Sequence, residues 1–194
     1  MNEKLAKFIR TVTVAPIMAG ILLTLLYFNY SFAFLNRTHF FMALFFLCVL
    51  PILAYPVSLL IPKIRQSGRR GQRNLAIVFA VAGYLFGTVY CLIFGYTAAE
   101  LTIYLTYLFS GVVIALLSFI FHIKGSGHAC GVSGPVAMLA AFLGMPYLLG
   151  YIILAFVFKS SVVLKRHTPT QLVIGSIVPV LCMAVAMVNV LFIV

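Results

Sequence analysis

Apolar residues come in runs of about twenty separated by short polar connectors, the period of a chain that crosses a bilayer repeatedly. The runs predict helices over residues 11–34, 39–61, 74–96 and 101–123. A fifth starts at Ser126 and breaks at Gly144-Met-Pro146, a sixth continues to 158, and a last one fills 169–194. Pro51 and Pro56 remove backbone donors inside the second run and predict a kink facing a cavity. The two arms around Gly144 hold about fifteen residues each, roughly 22 Å at 1.5 Å per residue, short for a lipid-facing span. Thr168, Pro169 and Gln171 read as N-cap, first helical position and reciprocal capping residue of the last helix, with His167 just outside it. The pattern predicts an all-α bundle of six to seven membrane helices. It forms a single transmembrane domain over 1–194 with no internal repeat.

The polar connectors carry the next step. Stretches 63–73, 124–128 and 159–171 are each separated by two spans, an even number, so the predicted topology puts all three on one face. They hold most of the chain's 13 Lys and Arg, which give a net charge of +11. In connectors between apolar runs, such charge suits lipid headgroups or a phosphorylated substrate rather than nucleic acid. The N-terminus, with Lys4, Lys7 and Arg10, shares that face, whereas the opposite turns hold only Arg37 and Glu100. The positive-inside rule therefore predicts a cytoplasmic motif face. No signal-peptide cleavage pattern follows the first run, so that helix is expected to stay.

Glu3 and Glu100 are the only acidic residues, which argues against paired carboxylates or carboxylate-held Mg²⁺ as the chemistry. Cys48, Cys91, Cys130 and Cys182 lack CxxC spacing and read as reduced packing residues. His122, His128, Cys130 and His167 match no zinc spacing, and neither a metal nor a cofactor is called for. His39 and His122, at the ends of apolar runs, read as interfacial, and Asn189 as an interhelical hydrogen-bonding residue.

What stands out is Ser126-Gly127-His128 at a predicted helix start. There free backbone N–H groups, the positive end of a helix dipole and an imidazole converge on a place suited to an anion. Gly127, Gly131 and Gly134 predict close packing of that helix. In the basic connector, Lys63 and Arg70 share a face if the stretch is helical, with Arg73 one turn on, although Gly68 and Gly71 weaken that helix. Add Arg166-His167 and the chain has the parts for phosphoryl transfer without a metal: cations for the oxygens, one His to attack phosphorus, another to protonate the leaving group.

These residues resemble the signatures of the type-2 phosphatidic acid phosphatase superfamily, the membrane lipid phosphatases related to vanadium haloperoxidases, over a core of about 63–175. Lys63 and Arg70 keep the spacing of the first signature, with Gly71 in place of Pro. Ser126-Gly127-His128 keeps three residues of the second. Ser160 and His167 match the third, where Ser161 stands at the usual Arg and Gln171 at the usual Asp. The run Lys165-Arg166-His167-Thr168-Pro169-Thr170-Gln171 followed by Gly175 looks like a divergent prokaryotic branch, which implies the cytoplasmic membrane. The resemblance implies that His167 is the nucleophile and His128 the general acid. Lys63, Arg70, Ser126 and Gly127 would bind phosphate, with Arg73, Lys124, Lys165 or Arg166 supplying the Arg missing at 161. Gln171, lacking a charge, would orient His167 less strongly than Asp, or be occupied in capping with Thr168. The expected activity is cofactor-free hydrolysis of a lipid phosphomonoester or pyrophosphate. Two alternatives stay open: a relative with weakened or lost catalysis that binds lipid phosphate, and a small anion transporter, which predicts polar residues spread through the spans.

Overall fold

The computed structural model describes residues 1–193 and is an all-α bundle with no strand among them. Helix α1 (Glu3–Val12) is amphipathic and meets α2 (Ala15–Asn29) at a 49° bend, so the predicted first run is two helices. Pro16, near the start of α2, brings no N–H, and the chain turns where the polar face of α1 ends. Arg37–Leu60 forms α3, followed by the short α4 (Pro62–Gln66), α5 (Gly68–Phe94) and α6 (Ala98–Phe119). Then come α7 (Gly127–Leu143), α8 (Met145–Val163) and α9 (Pro169–Ile193). Five helices are long and apolar enough to cross a membrane, or six when the bent α1–α2 pair counts as one span. Large apolar side chains such as Phe28, Phe86, Ile93 and Leu181 lie exposed on the outside, as a lipid-facing surface requires.

Where Pro51 and Pro56 predict a kink, α3 carries a π-turn at Phe45–Val49, in which the Leu50 N–H bonds the Phe45 carbonyl. It lies just before Pro51, whose ring would otherwise press on the preceding turn. Helix α7, with 17 residues and below spanning length, is enclosed by α2, α6, α8 and α9. Its small residues permit this: a Cβ on Gly131 would lie 2.5 Å from the Ala15 Cβ. Gly127 is different, because nothing lies within 4 Å of the place its Cβ would take. Helix α8 runs past 158 to Val163, so Lys159, Ser160 and Ser161 are helical and the last connector begins at Leu164.

Four expectations need correction. The basic stretch breaks at Gly68, with φ +56°, so Lys63 on α4 and Arg70 on α5 do not share a helix face. His39 is 3% exposed rather than interfacial, and Glu100, expected in a turn, is 0% exposed in the first turn of α6. The Asn189 amide donates to the Val185 carbonyl of its own helix instead of to a neighbour.

Candidate phosphate site

Two helix starts build the site. The Ser126 N–H at the head of α7 bonds the Gln171 carbonyl in the first turn of α9, at 3.1 Å. Gly175, one turn later, lets the backbones meet: a Cβ there would sit 2.4 Å from the Ser126 carbonyl oxygen. This junction brings His128 and His167 to a cavity of ≈ 910 Å³. Its mouth takes Arg69, Arg70 and Arg73 from α5, His122 and Lys124 from the α6–α7 connection, Gly127 at the start of α7, and Arg166 before α9. Arg10 of α1 completes the ring, and no carboxylate lines the cavity. The mouth turns are tight, with His122 at φ 55° and Lys165 at φ 49°, conformations uncommon outside glycine.

His167 is held by a capping box. The Gln171 side-chain oxygen accepts the Thr168 N–H at 3.3 Å, while the Thr168 hydroxyl accepts the Gln171 N–H at 3.3 Å. The same Gln171 oxygen lies 3.1 Å from His167 Nδ1. Only an oxygen can accept a backbone N–H, so the amide orientation follows, and the neutral imidazole carries its proton on Nδ1. That leaves the lone pair on Nε2, the form a nucleophile needs. Gln171 thus caps α9 and orients His167 at once. Burial, with Arg10 and Arg73 adding to it, lowers the His167 pKa below the ordinary 6.5, only partly opposed by the Gln171 bond and the Lys124 backbone.

His128 is gripped by Arg10 at both ring nitrogens. Nε2–H donates to the Arg10 carbonyl at 2.8 Å, and Nδ1 faces Arg10 Nη2 at 3.4 Å. Burial and the neighbouring guanidinium bring its pKa down to about 4, against the raising effect of the carbonyl bond, so the ring is neutral at pH 7. In this arrangement His128 has no proton to spare for a leaving group. Arg10 Nη1 also donates to the Ser161 hydroxyl at 2.6 Å, which places an arginine beside Ser161.

Other sequence candidates divide. Arg70, Arg73, Lys124, Gly127 and Arg166 reach the mouth, with Arg73 also donating to the Ser118 hydroxyl at 2.8 Å. Lys63 is exposed on α4 and does not line the cavity, because the Gly68 turn carries it away. Ser126 does not line it either: its hydroxyl accepts the Ala129 N–H as the α7 N-cap, and its own N–H is taken by Gln171. Lys165 is exposed and lies outside the lining.

Sequence reasoning missed Arg10. The signal was weak, a basic residue in an amphipathic start, which reads first as a headgroup anchor. It also missed the hydroxyls deep in the cavity. Helix α6 lends Thr106, Tyr107 and Ser110, and the Tyr107 and Ser110 hydroxyls are buried with no hydrogen-bond partner. Beyond the mouth the walls turn apolar at Pro51, Ala80, Val81, Met138 and Pro179.

No family model matches the chain, and no curated protein or solved structure matches it.

Proposed function

We propose that the protein is a membrane lipid phosphatase, hydrolysing a phosphomonoester or pyrophosphate of a lipid through a phosphohistidine on His167. The observation that carries this reading is the His167 imidazole, its Nδ1 3.1 Å from the Gln171 side-chain oxygen, lining a cavity whose mouth is cationic and free of carboxylates. Arg10, Arg70, Arg73, Lys124 and Arg166 suit the non-bridging oxygens, and the open space over Gly127 lets an oxygen approach the start of α7. The apolar inner walls suit a lipid chain. His167 Nε2 attacks phosphorus, the bond from phosphorus to the lipid oxygen breaks, and that oxygen takes a proton. Water then cleaves the P–N bond, releasing phosphate and restoring the imidazole. His128 serves as proton donor only after phosphate draws the Arg10 guanidinium off Nδ1, since an arriving dianion favours the charged imidazole. The test is phosphate release from a lipid phosphomonoester by purified protein in detergent. Turnover is expected without added divalent ion and is expected to be blocked by vanadate. A strict requirement for Mg²⁺ would overturn the reading.

A second reading, a lipid-phosphate-binding protein without turnover, is favoured by the grip of Arg10 on both nitrogens of His128. Gln171 distinguishes the two. Gln171→Glu keeps the length that reaches both His167 Nδ1 and the Thr168 N–H and adds a charge that steadies the imidazolium. In an enzyme limited by that missing charge, turnover is expected to rise several-fold. Unchanged or lower turnover in a folded variant would show that the neutral amide does not limit the rate.

We also propose that the cavity mouth faces the cytoplasm of a prokaryotic cell. Lys4 and Lys7 lie outside the cavity lining and join the motif face without serving phosphate, whereas the opposite turns carry Arg37 and the buried Glu100. In a background without the native cysteines, an impermeant thiol reagent applied to intact cells is expected to label Ala98→Cys and spare Asn2→Cys. The reverse pattern would invert the topology.

A further inference from the structure

The buried acid of this protein lies at the far end of α6 from the phosphate site. Glu100 occupies the first turn of α6 and Ser118, at the cavity mouth, its last, a separation of about 27 Å at 1.5 Å per residue. Around Glu100 the chain brings together two more donors from different helices, His39 from the start of α3 and Cys91 from the end of α5. One ligand atom from each lies within 4.8 Å of the others, and all three residues are buried, with Cys91 and Glu100 at 0% exposure. His39 Nδ1 and Glu100 Oε1 are 2.9 Å apart. The second carboxylate oxygen accepts the Leu35 N–H at 3.4 Å, and the Tyr90 ring lies 5.0 Å from the His39 ring.

A carboxylate this deep needs compensating charge, and among the described residues no Lys or Arg pairs with it. We propose that His39, Cys91 and Glu100 bind one divalent metal ion of the zinc type, clasping α3, α5 and α6 at the membrane face opposite the phosphate cavity. The donor set of imidazole nitrogen, thiolate sulfur and carboxylate oxygen is the mixed set that borderline-soft divalent ions take, and it excludes Mg²⁺ and Ca²⁺, which want oxygen alone. The charge closes as well. A metal-free cluster with one proton between His39 and Glu100, 2.9 Å apart, beside a Cys91 thiol would be net zero. The loaded cluster is M²⁺, thiolate, carboxylate and neutral imidazole, again net zero. One ion enters and two protons leave, so nothing uncompensated is buried. Zinc bonds of about 2.0–2.3 Å put tetrahedral ligands roughly 3.3–3.6 Å apart, so the cluster closes with shifts of about an ångström, leaving a fourth position for water. The sequence hides this site because its three ligands are spaced 52 and 9 residues apart, (91 − 39) and (100 − 91), and come from three separate helices.

The test uses the untagged full chain in detergent, reduced and stripped of metal. Added Co²⁺ is expected to bind at one equivalent and give a thiolate-to-cobalt charge-transfer band in the near ultraviolet, which Zn²⁺ displaces. Cys91→Ser removes the band, whereas Cys48→Ser, Cys130→Ser and Cys182→Ser keep it. Zn²⁺ is also expected to raise the thermal midpoint of the wild type by several degrees, and not that of Glu100→Gln. Folded wild-type protein that shows neither the band nor the thermal shift, or a band that survives Cys91→Ser, overturns the proposal. Because the wild type alone supplies the deciding measurement, a variant that fails to fold does not rescue it.

Discussion

His167→Ala is expected to cut phosphate release from a lipid phosphomonoester by about 10⁴-fold or more, the scale of losing a covalent nucleophile. Binding of the lipid phosphate should survive, since Arg10, Arg70, Arg73, Lys124 and Arg166 still ring the mouth. The same residue sets the acid limb of the pH profile. Its pKa is lowered, first by burial and then by Arg10 and Arg73, so the neutral nucleophile persists below the ordinary 6.5. On the acid side, activity is expected to hold down to pH 6.5 and to fall only as the pH drops through the depressed value. A variant that keeps wild-type turnover, or an acid limb of kcat/KM above pH 6.5, would remove His167 from the nucleophile's role.

Arg10→Ala carries the second largest expected effect. Arg10 touches Ser161 and both nitrogens of His128, and it lines the cavity with His167. Loss of one preorganised cation at a reacting phosphate costs on the order of 10²–10³-fold in kcat/KM. Arg10→Lys restores part of it, because a lysine keeps the charge but not the planar fork that spans two partners. The contact with His128 has its own readout: without the guanidinium the His128 pKa climbs from about 4 toward 6.5, while burial keeps it from arriving. Following the ring protons by NMR checks this. Unchanged titration together with kcat/KM within twofold of wild type would reduce α1 to a membrane anchor.

Both variants probe a site whose parts were unequally legible. His128 and His167 were visible because each stands at a helix start marked by local chemistry, Ser126 as a cap and the box of Thr168 and Gln171. Capping depends on residues three apart, and such signals survive in one dimension. Ser126 shows the limit of reading a motif that way. Its hydroxyl and N–H are both consumed by the structure, which no spacing reveals. Lys63 fails for a different reason: its spacing to Arg70 assumes one continuous helix, and the turn at Gly68 breaks it. The sequence offers Gln171 two jobs, and the geometry lets one oxygen do both, because a carbonyl oxygen has two lone pairs.

The sequence by itself determined the class of the molecule, its long apolar helices, the break at Gly144 and the gathering of cations in the connectors. Hydrophobic run length, proline, glycine and caps act locally, over at most a helix. Tertiary structure decided which of those cations meet the histidines. Arg10 comes to lie against His128, 118 residues away, and against Ser161, 151 residues away. The bend between α1 and α2 and the glycine contacts of α7 and α9 put them there. Likewise, only packing joins His39 and Cys91 to Glu100, because a buried charge selects its partners by proximity in space, and nothing in the order of residues along the chain records that.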